Sequence, residues 1–192
     1  EFAELRKELD RYIHTVVPTL PETHAFYADR GRPATLKQLQ HMDGDPYFRE
    51  YVDRPRWTQI AMGLLGGPVR AQGCEWFNKP PAVKQPTPPH QDGFYFCLDP
   101  DEAVTFWFAI DASDTENGCL NYARKSHLGD IRAHDCSQVL GFSQAILDFK
   151  EGDQVNVHAA IMDPGDMVAH HSRTIHWAGA NSSNRTRQGL AL

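Results

Sequence analysis

The stretch Pro89-His90-Gln91-Asp92-Gly93-Phe94-Tyr95-Phe96 puts the tightest condition on what this chain can become. It places an imidazole and a carboxylate two residues apart at the head of an aromatic run that reads as a strand. On extended backbone, residues i and i+2 leave the same face, so His90 and Asp92 point together and Gln91 points away. These two groups are half of a metal site. The best candidate for a second imidazole lies far downstream, in His176-Trp177-Ala178-Gly179-Ala180-Asn181, with Arg185 and Arg187 shortly after it. Two histidines and one carboxylate on one face of a metal, with the other positions open, suit Fe(II) oxygen chemistry. An isolated His-x-Asp is more often a pair of ordinary polar residues. Here the order of parts gives it weight, because His90-x-Asp92 is followed by a long interval, by His176, and then by Arg187 ahead of an apolar end. An arginine beside such a metal grips bidentately a carboxylate that also approaches the ion, which is how 2-oxoglutarate is held.

The rest of the chain is consistent with one domain spanning residues 1–192. No Pro/Gly/Ser linker or charge block divides it, and 41% hydrophobic residues suffice for a core. No apolar run approaches the length of a membrane span. A net charge of −6 argues against nucleic acid as the main partner, since a phosphate backbone selects a basic face. The expected partner is a small molecule, and the expected compartment is the cytoplasm. Cys74, Cys97, Cys119 and Cys136 have no Cys-x-x-Cys spacing and read as free thiols. Residues 1–17 carry Phe2, Leu5, Leu9, Ile13, Val16 and Val17 at helical spacing, stopped by Pro18, and predict an amphipathic helix laid on a sheet. Residues 1–67 as a whole read as a mostly helical cover, with 35–42 as a helix that has one polar face. Lys37 and Gln38 there are either solvent contacts or polar contacts to a substrate. From 68 to 192 the pattern changes to strands, expected at 69–77, 93–98, 104–110, 119–122, 154–160, 167–175 and 186–192. Seven or eight such strands predict a mainly β double-sheet jelly roll with N-terminal helices packed on it.

Several blocks carry a family likeness: Trp76-Phe77-Asn78-Lys79-Pro80-Pro81, Pro88-Pro89-His90-Gln91-Asp92, Asn117-Gly118-Cys119-Leu120, Ser126-His127, and His176-x-x-Gly179-x-Asn181 with Arg187. In order and spacing they resemble the phytanoyl-CoA dioxygenase family of Fe(II)/2-oxoglutarate oxygenases. The resemblance implies the double-stranded β-helix, in which the His-x-Asp segment and the distal histidine meet at the open mouth. It implies Fe(II), 2-oxoglutarate and O2 as cofactor and co-substrates. Among His170, His171 and His176 it selects His176 as the third ligand, since that residue has the spacing to Gly179, Asn181 and Arg187. It selects Arg187 over Arg185 as the anchor for 2-oxoglutarate, and it matches Asn78 and Trp107 to co-substrate-lining positions; for Trp107, plain core packing is the competing reading. An aspartate at position 92, where related halogenases carry a small residue, implies hydroxylation of an unactivated carbon. The family also leads one to expect a strand ahead of the first helix and another after Leu192, as if this were a shortened form of a longer protein.

For the substrate, Gly141-Phe142-Ser143-Gln144 and Ala169-His170-His171 look most like the branch acting on 2-aminoethylphosphonate and related alkylphosphonates, with Gln144, Arg124 and Lys37 as candidate contacts and Arg132 also available. The run Ala123-Arg124-Lys125-Ser126-His127 departs from that branch, where Pro-Gly or Arg-Gly usually precedes Ser-His. Other hydroxylase readings are phytanoyl-CoA-like and betaine- or ectoine-like substrates. Outside oxygenases, a cupin-like metal hydrolase would need an added general base near the metal and no keto-acid arginine. A ligand-binding module with a decayed site would not keep all three ligands and Arg187.

Overall fold

In the computed structural model of the chain, residues 1–81, 85–139 and 141–192 are described. The first helix, α1 (Phe2–Arg11), runs into a π-helical turn at Tyr12–Val16. Then come β1 (Ala25–Tyr27), β2 (Leu36–Leu39), α2 (Pro46–Val52), α3 (Pro55–Leu65), β3 (Glu75–Lys79), β4 (Thr87–His90) and the short α4 (Asp92–Phe96). The rest is strand: β5 (Val104–Ala109), β6 (Leu120–Ala123), β7 (His134–Val139), β8 (Phe142–Ile146), β9 (Val157–Ala159), β10 (Met167–His171), β11 (His176–Ala178) and β12 (Arg187–Ala191). A six-stranded sheet has the order β1-β2-β3-β12-β5-β10, a four-stranded sheet the order β4-β11-β6-β9, and β7 and β8 form a separate hairpin.

The strands alternate, and each face has its own business. In β5, Phe106 and Phe108 point outward and join Trp76 and Leu190 in a core with Leu5, Leu9 and Tyr12 from the N-terminal helix and turn and Phe48, Tyr51 and Trp57 of α2 and α3. Between them Trp107 and Ala109 point inward, against Leu120, Tyr122 and Ala178 of the smaller sheet. This is the two-layer jelly roll with its helices on one outer face. Caps match the sequence: Asp45 accepts from the Tyr47 amide at the start of α2, and Gly66, in the left-handed region, closes α3. Among the described residues no helix is long and apolar enough to cross a membrane.

Several expectations differ from the structure; the strand expected over 69–77 begins only at Glu75, and that over 154–160 is confined to Val157–Ala159. Residues 35–42 were expected to be helical, yet Leu36–Leu39 is strand β2, paired with β1 and with β3. Leu, Lys and Gln are good helix formers, but propensity is a weak force beside pairing with the strands on either side, which overrides it here. Residues 93–98 were expected to be a strand; instead Asp92–Phe96 is a helical turn ended by Cys97 in the left-handed region. The Gly93 amide bonds the Ser172 carbonyl, and a side chain at 93 would run into Ile131, so the glycine packs the turn against its neighbours. Finally, the strand expected over 167–175 stops at His171, and the chain turns before β11 in the other sheet.

Candidate metal centre and cavity

His90 ends β4, and His176 begins β11 directly opposite it; Tyr122 of β6 is the next partner in the same row. Asp92 opens α4, two residues after His90. Its Oδ1 lies 3.7 Å from His90 Nε2 and 3.5 Å from His176 Nε2. The three groups offer ligand atoms all within 4.8 Å of one another. Both imidazoles are held by the same local device. His90 Nδ1 donates to the Pro88 carbonyl at 2.8 Å and His176 Nδ1 to the Thr174 carbonyl at 2.9 Å, in each case two residues back. That assigns the tautomer and leaves each Nε2 with a lone pair facing Asp92 Oδ1. Burial lowers both histidines below their ordinary range, His176 to about 3, so they stay neutral as ligands must. Burial alone would raise Asp92, but the surrounding imidazoles outweigh it and hold the carboxyl ionised.

Asp92 spends its other oxygen on orientation. Oδ2 accepts from Thr105 Oγ1 at 2.7 Å and from His170 Nε2 at 3.0 Å. His170 Nδ1 in turn lies 3.0 Å from the Tyr122 hydroxyl, which donates to it. The relay Tyr122–His170–Asp92 joins both sheets and turns Oδ1 toward the histidines. Two neutral Nε2 atoms and one carboxylate oxygen, each fixed from behind, fit a divalent iron. His171 faces outward instead, pairing with Glu102 at 3.0 Å. Gln91 is fully buried: its amide donates to the carbonyls of Asp130 and Arg173 and accepts from the Arg132 amide, locking the loops behind the site.

The metal groups border a cavity of about 450 Å³, also lined by Lys37, Gln38, Glu75, Phe77, Asn78, Lys79, Tyr95, Trp107, Phe142 and Arg187. Arg187 is buried, gives Nε and Nη2 to the Gly118 carbonyl at 3.1 and 2.7 Å, and packs over the Trp107 ring. Trp107 lies so flat across β12 that a Cβ on Gly189 would come within 1.9 Å of it. Burial lowers the Arg187 guanidinium to about 10, and no carboxylate pairs with it among the described residues. Arg185 is a surface residue bound to Asp114 and Glu116, both at 2.9 Å. Lys79, across the β3–β12 ladder from Arg187, is also buried and gives Nζ to the Gln85 carbonyl at 3.0 Å. Desolvation first, then Arg187 and Lys37, lower its ammonium to about 6. Lys37 donates to Gln85 Oε1 at 2.8 Å. Asn78 donates to the Leu36 carbonyl, and its buried Oδ1 meets no partner among the described residues.

The other substrate candidates fare differently. Gln144 sits on β8, with its backbone amide and carbonyl both bonded to the Tyr95 hydroxyl, and does not line the cavity. Arg124 is outside it altogether, in a second recess 3.2 Å from His158 Nδ1. Arg132 is consumed by Asp148 and Asp153 at the base of the β7–β8 hairpin. Glu75, Lys79, Thr105, Tyr95 and Phe142 also line the cavity, and Tyr122 stands behind the metal groups, with no motif in the sequence to mark any of them for a role there. For Glu75 and Lys79 a signal existed: they alternate with Phe77 along one strand, which puts all three on the inner face.

A family model described as phytanoyl-CoA dioxygenase matches residues 1–189. The peroxisomal phytanoyl-CoA dioxygenase of Homo sapiens is 28% identical over 200 residues, covering 100% of this chain and 58% of that protein. The chain thus spans little more than half the length of that relative. Among solved structures, EvdO2 from Micromonospora carbonacea var. aurantiaca, complexed with 2-oxoglutarate, is 26% identical with a TM-score of 0.71 over 100% of this chain and 79% of that one. The epimerase SnoN, in complex with Fe3+, alpha ketoglutarate and nogalamycin RO, is 26% identical with a TM-score of 0.73 over 99% of this chain and 72% of that one.

Proposed function

The chain belongs to the phytanoyl-CoA dioxygenase family, and on that premise we propose that it is an Fe(II)- and 2-oxoglutarate-dependent dioxygenase that hydroxylates an unactivated carbon of a small molecule. One observation carries the reading: His90 Nε2, His176 Nε2 and Asp92 Oδ1 converge on a cavity that also holds a buried arginine with no carboxylate partner among the described residues. Bound together, iron, 2-oxoglutarate and O2 supply the oxidising power, with the keto acid leaving as succinate and CO2 while one oxygen atom enters the substrate. The protein's own part is positioning and exclusion of water. His90, Asp92 and His176 would hold the iron, and Thr105 and His170 fix the carboxylate that binds it. Arg187 would hold the distal carboxylate of 2-oxoglutarate through its remaining donors, on the face of Trp107, with Asn78 and Lys37 beside it. Phe142 of the hairpin, 5.1 Å from the His90 ring, shields the metal end from bulk water. The test is succinate formation with matching O2 uptake when Fe(II) and 2-oxoglutarate are supplied; no keto-acid turnover in the iron-loaded protein would sink the proposal.

The hydrolase reading gains a half-buried carboxylate on the cavity wall, Glu75, but leaves Arg187 without a task. The aminoalkylphosphonate reading keeps Lys37 alone of its three contacts, because Arg124 and Gln144 stand outside the cavity. A second anion would also have to share the cavity with Glu75.

A further inference from the structure

We infer that the β2–β3 wall of the cavity recognises a substrate group that donates hydrogen bonds and carries no negative charge, an ammonium or a hydroxyl. This rests on the oxygenase reading and narrows its substrate class. Glu75 and Gln38 carry the inference. Gln38 donates from Nε2 to Glu75 Oε2 at 3.0 Å, and that amide is the donor this carboxylate has among the described residues. Turning the amide over would set one oxygen against another, so Glu75 dictates the orientation of Gln38. Gln38 Oε1 is then buried with no donor among the described residues, lying against Gly141 where the hairpin crosses the cavity. Two acceptors stand side by side, short of donors: Glu75 lines the cavity, and the Gln38 oxygen lies beside it under Gly141. Desolvation, with Asp92 adding to it, raises the Glu75 carboxyl above its ordinary range against the opposing pull of the Gln38 amide and His41.

The other surfaces agree. Lys37, Lys79 and Arg187 line the same cavity and suit the dianionic co-substrate. A second anion on the substrate would face Glu75 instead. Phe77 and Phe142, stacked with centroids 6.0 Å apart, and Tyr95 offer flat apolar faces to a ring or to an ammonium. A bare alkyl chain would leave the Glu75 and Gln38 oxygens desolvated and unpaired, the situation that polar sites reject most strongly.

The experiment is calorimetric binding to the iron- and 2-oxoglutarate-loaded protein under nitrogen, with glucosamine, glucose, 2-aminoethylphosphonate and octanoate as probes. Uncoupled succinate formation in air, without any probe, is measured in parallel. Glucosamine or glucose is expected to bind more tightly than octanoate and than the phosphonate, whose ammonium is tied to a negatively charged group. If the ammonium is the recognised group, glucosamine exceeds glucose and Glu75→Gln weakens it about tenfold or more; if hydroxyls are, the two sugars bind alike and Gln38→Leu does the greater damage. Thermal melts establish that each variant is folded. Preference for octanoate or the phosphonate, binding of neither sugar, or unchanged sugar affinity in both variants overturns the inference. Missing uncoupled succinate in the wild-type protein would instead count against the oxygenase reading, whichever probe binds.

Discussion

Asp92 divides its two oxygens between the metal face and the residues that aim it, and that division is open to test one side chain at a time. His170→Ala removes a donor from Oδ2 and strands the Tyr122 hydroxyl. Losses of this kind behind a ligand lower metal affinity roughly 10- to 100-fold. A Co(II) titration should show it for His170→Ala and not for His171→Ala, whose ring pairs with Glu102 at the surface; equal losses would dissolve the relay. At the co-substrate end, Arg187→Ala should raise the 2-oxoglutarate requirement by roughly 2 to 5 kcal/mol, as expected when one partner of a buried charge pair is truncated. Arg185→Ala should leave it alone, because that guanidinium is already paired with Asp114 and Glu116; the reverse result would move the anchor by two residues. That His90, Asp92, His176 and Arg187 come together was legible in the sequence, because chemistry fixes their types and order. Thr105, His170 and Tyr122 were not, since a hydroxyl or imidazole on an inward strand position looks the same whether it orients a ligand or fills a core. His90 and Asp92 do point together, but not along one strand face: Gln91 is extended, and Asp92 already belongs to a helix.

Among elements, β12 has the narrowest tolerance. Trp107 occupies the space above Gly189, so Gly189→Ala must displace the indole or the strand. Overpacking of this kind costs about 1 to 3 kcal/mol. A lowered Tm together with weaker 2-oxoglutarate binding is the expected outcome, since Trp107 is also the ring beneath Arg187; a lowered Tm with unchanged binding would confine the effect to packing. The β7–β8 hairpin is held at the middle of β8 by the Tyr95 hydroxyl, which both donates to and accepts from the Gln144 backbone. Tyr95→Phe removes both bonds, each worth about 0.5 to 1.5 kcal/mol, and hydrogen exchange at the Gln144 amide should quicken accordingly. Strands β5 and β6 were readable from composition because their apolar and aromatic runs lie between clear turns. Strands β2 and β11 and the hairpin were not. Leu36-Lys37-Gln38-Leu39 has helix-forming residues, His176-Trp177-Ala178 is too short for a period, and His134–Val139 is polar and half exposed because it pairs only within its own hairpin.

At the scale of the whole molecule, the layered architecture was the safest inference, because a switch from helical to alternating pattern near residue 67 leaves few alternatives. What the pattern could not reveal is how the two sheets close around charge. Lys79 keeps its proton in the unfolded chain to about pH 10.5 but in the folded chain only to about pH 6. Between those limits the unfolded chain binds more protons, so stability rises with pH, by at most about 1.4 kcal/mol per unit. Above about pH 9 the buried Cys74 thiol, raised far beyond its ordinary range, acts in the opposite direction. Urea denaturation between pH 6.5 and 8.5 should therefore give a positive slope that Lys79→Met flattens; an identical slope in the variant would remove Lys79 as its source. If the keto acid binds as proposed, the pairing of Lys79 with Arg187 across β3 and β12 couples its binding to proton exchange. A dicarboxylate settling among these cations should favour the charged form of Lys79, so binding near neutral pH is expected to draw a proton from the buffer, and the apparent binding heat should change with the buffer's ionisation enthalpy; a heat that is the same in every buffer would rule this out. Because a ligand that binds only the native state protects it in proportion to ln(1 + [L]/Kd), the lifetime of this protein in a cell would follow the supply of its own co-substrate.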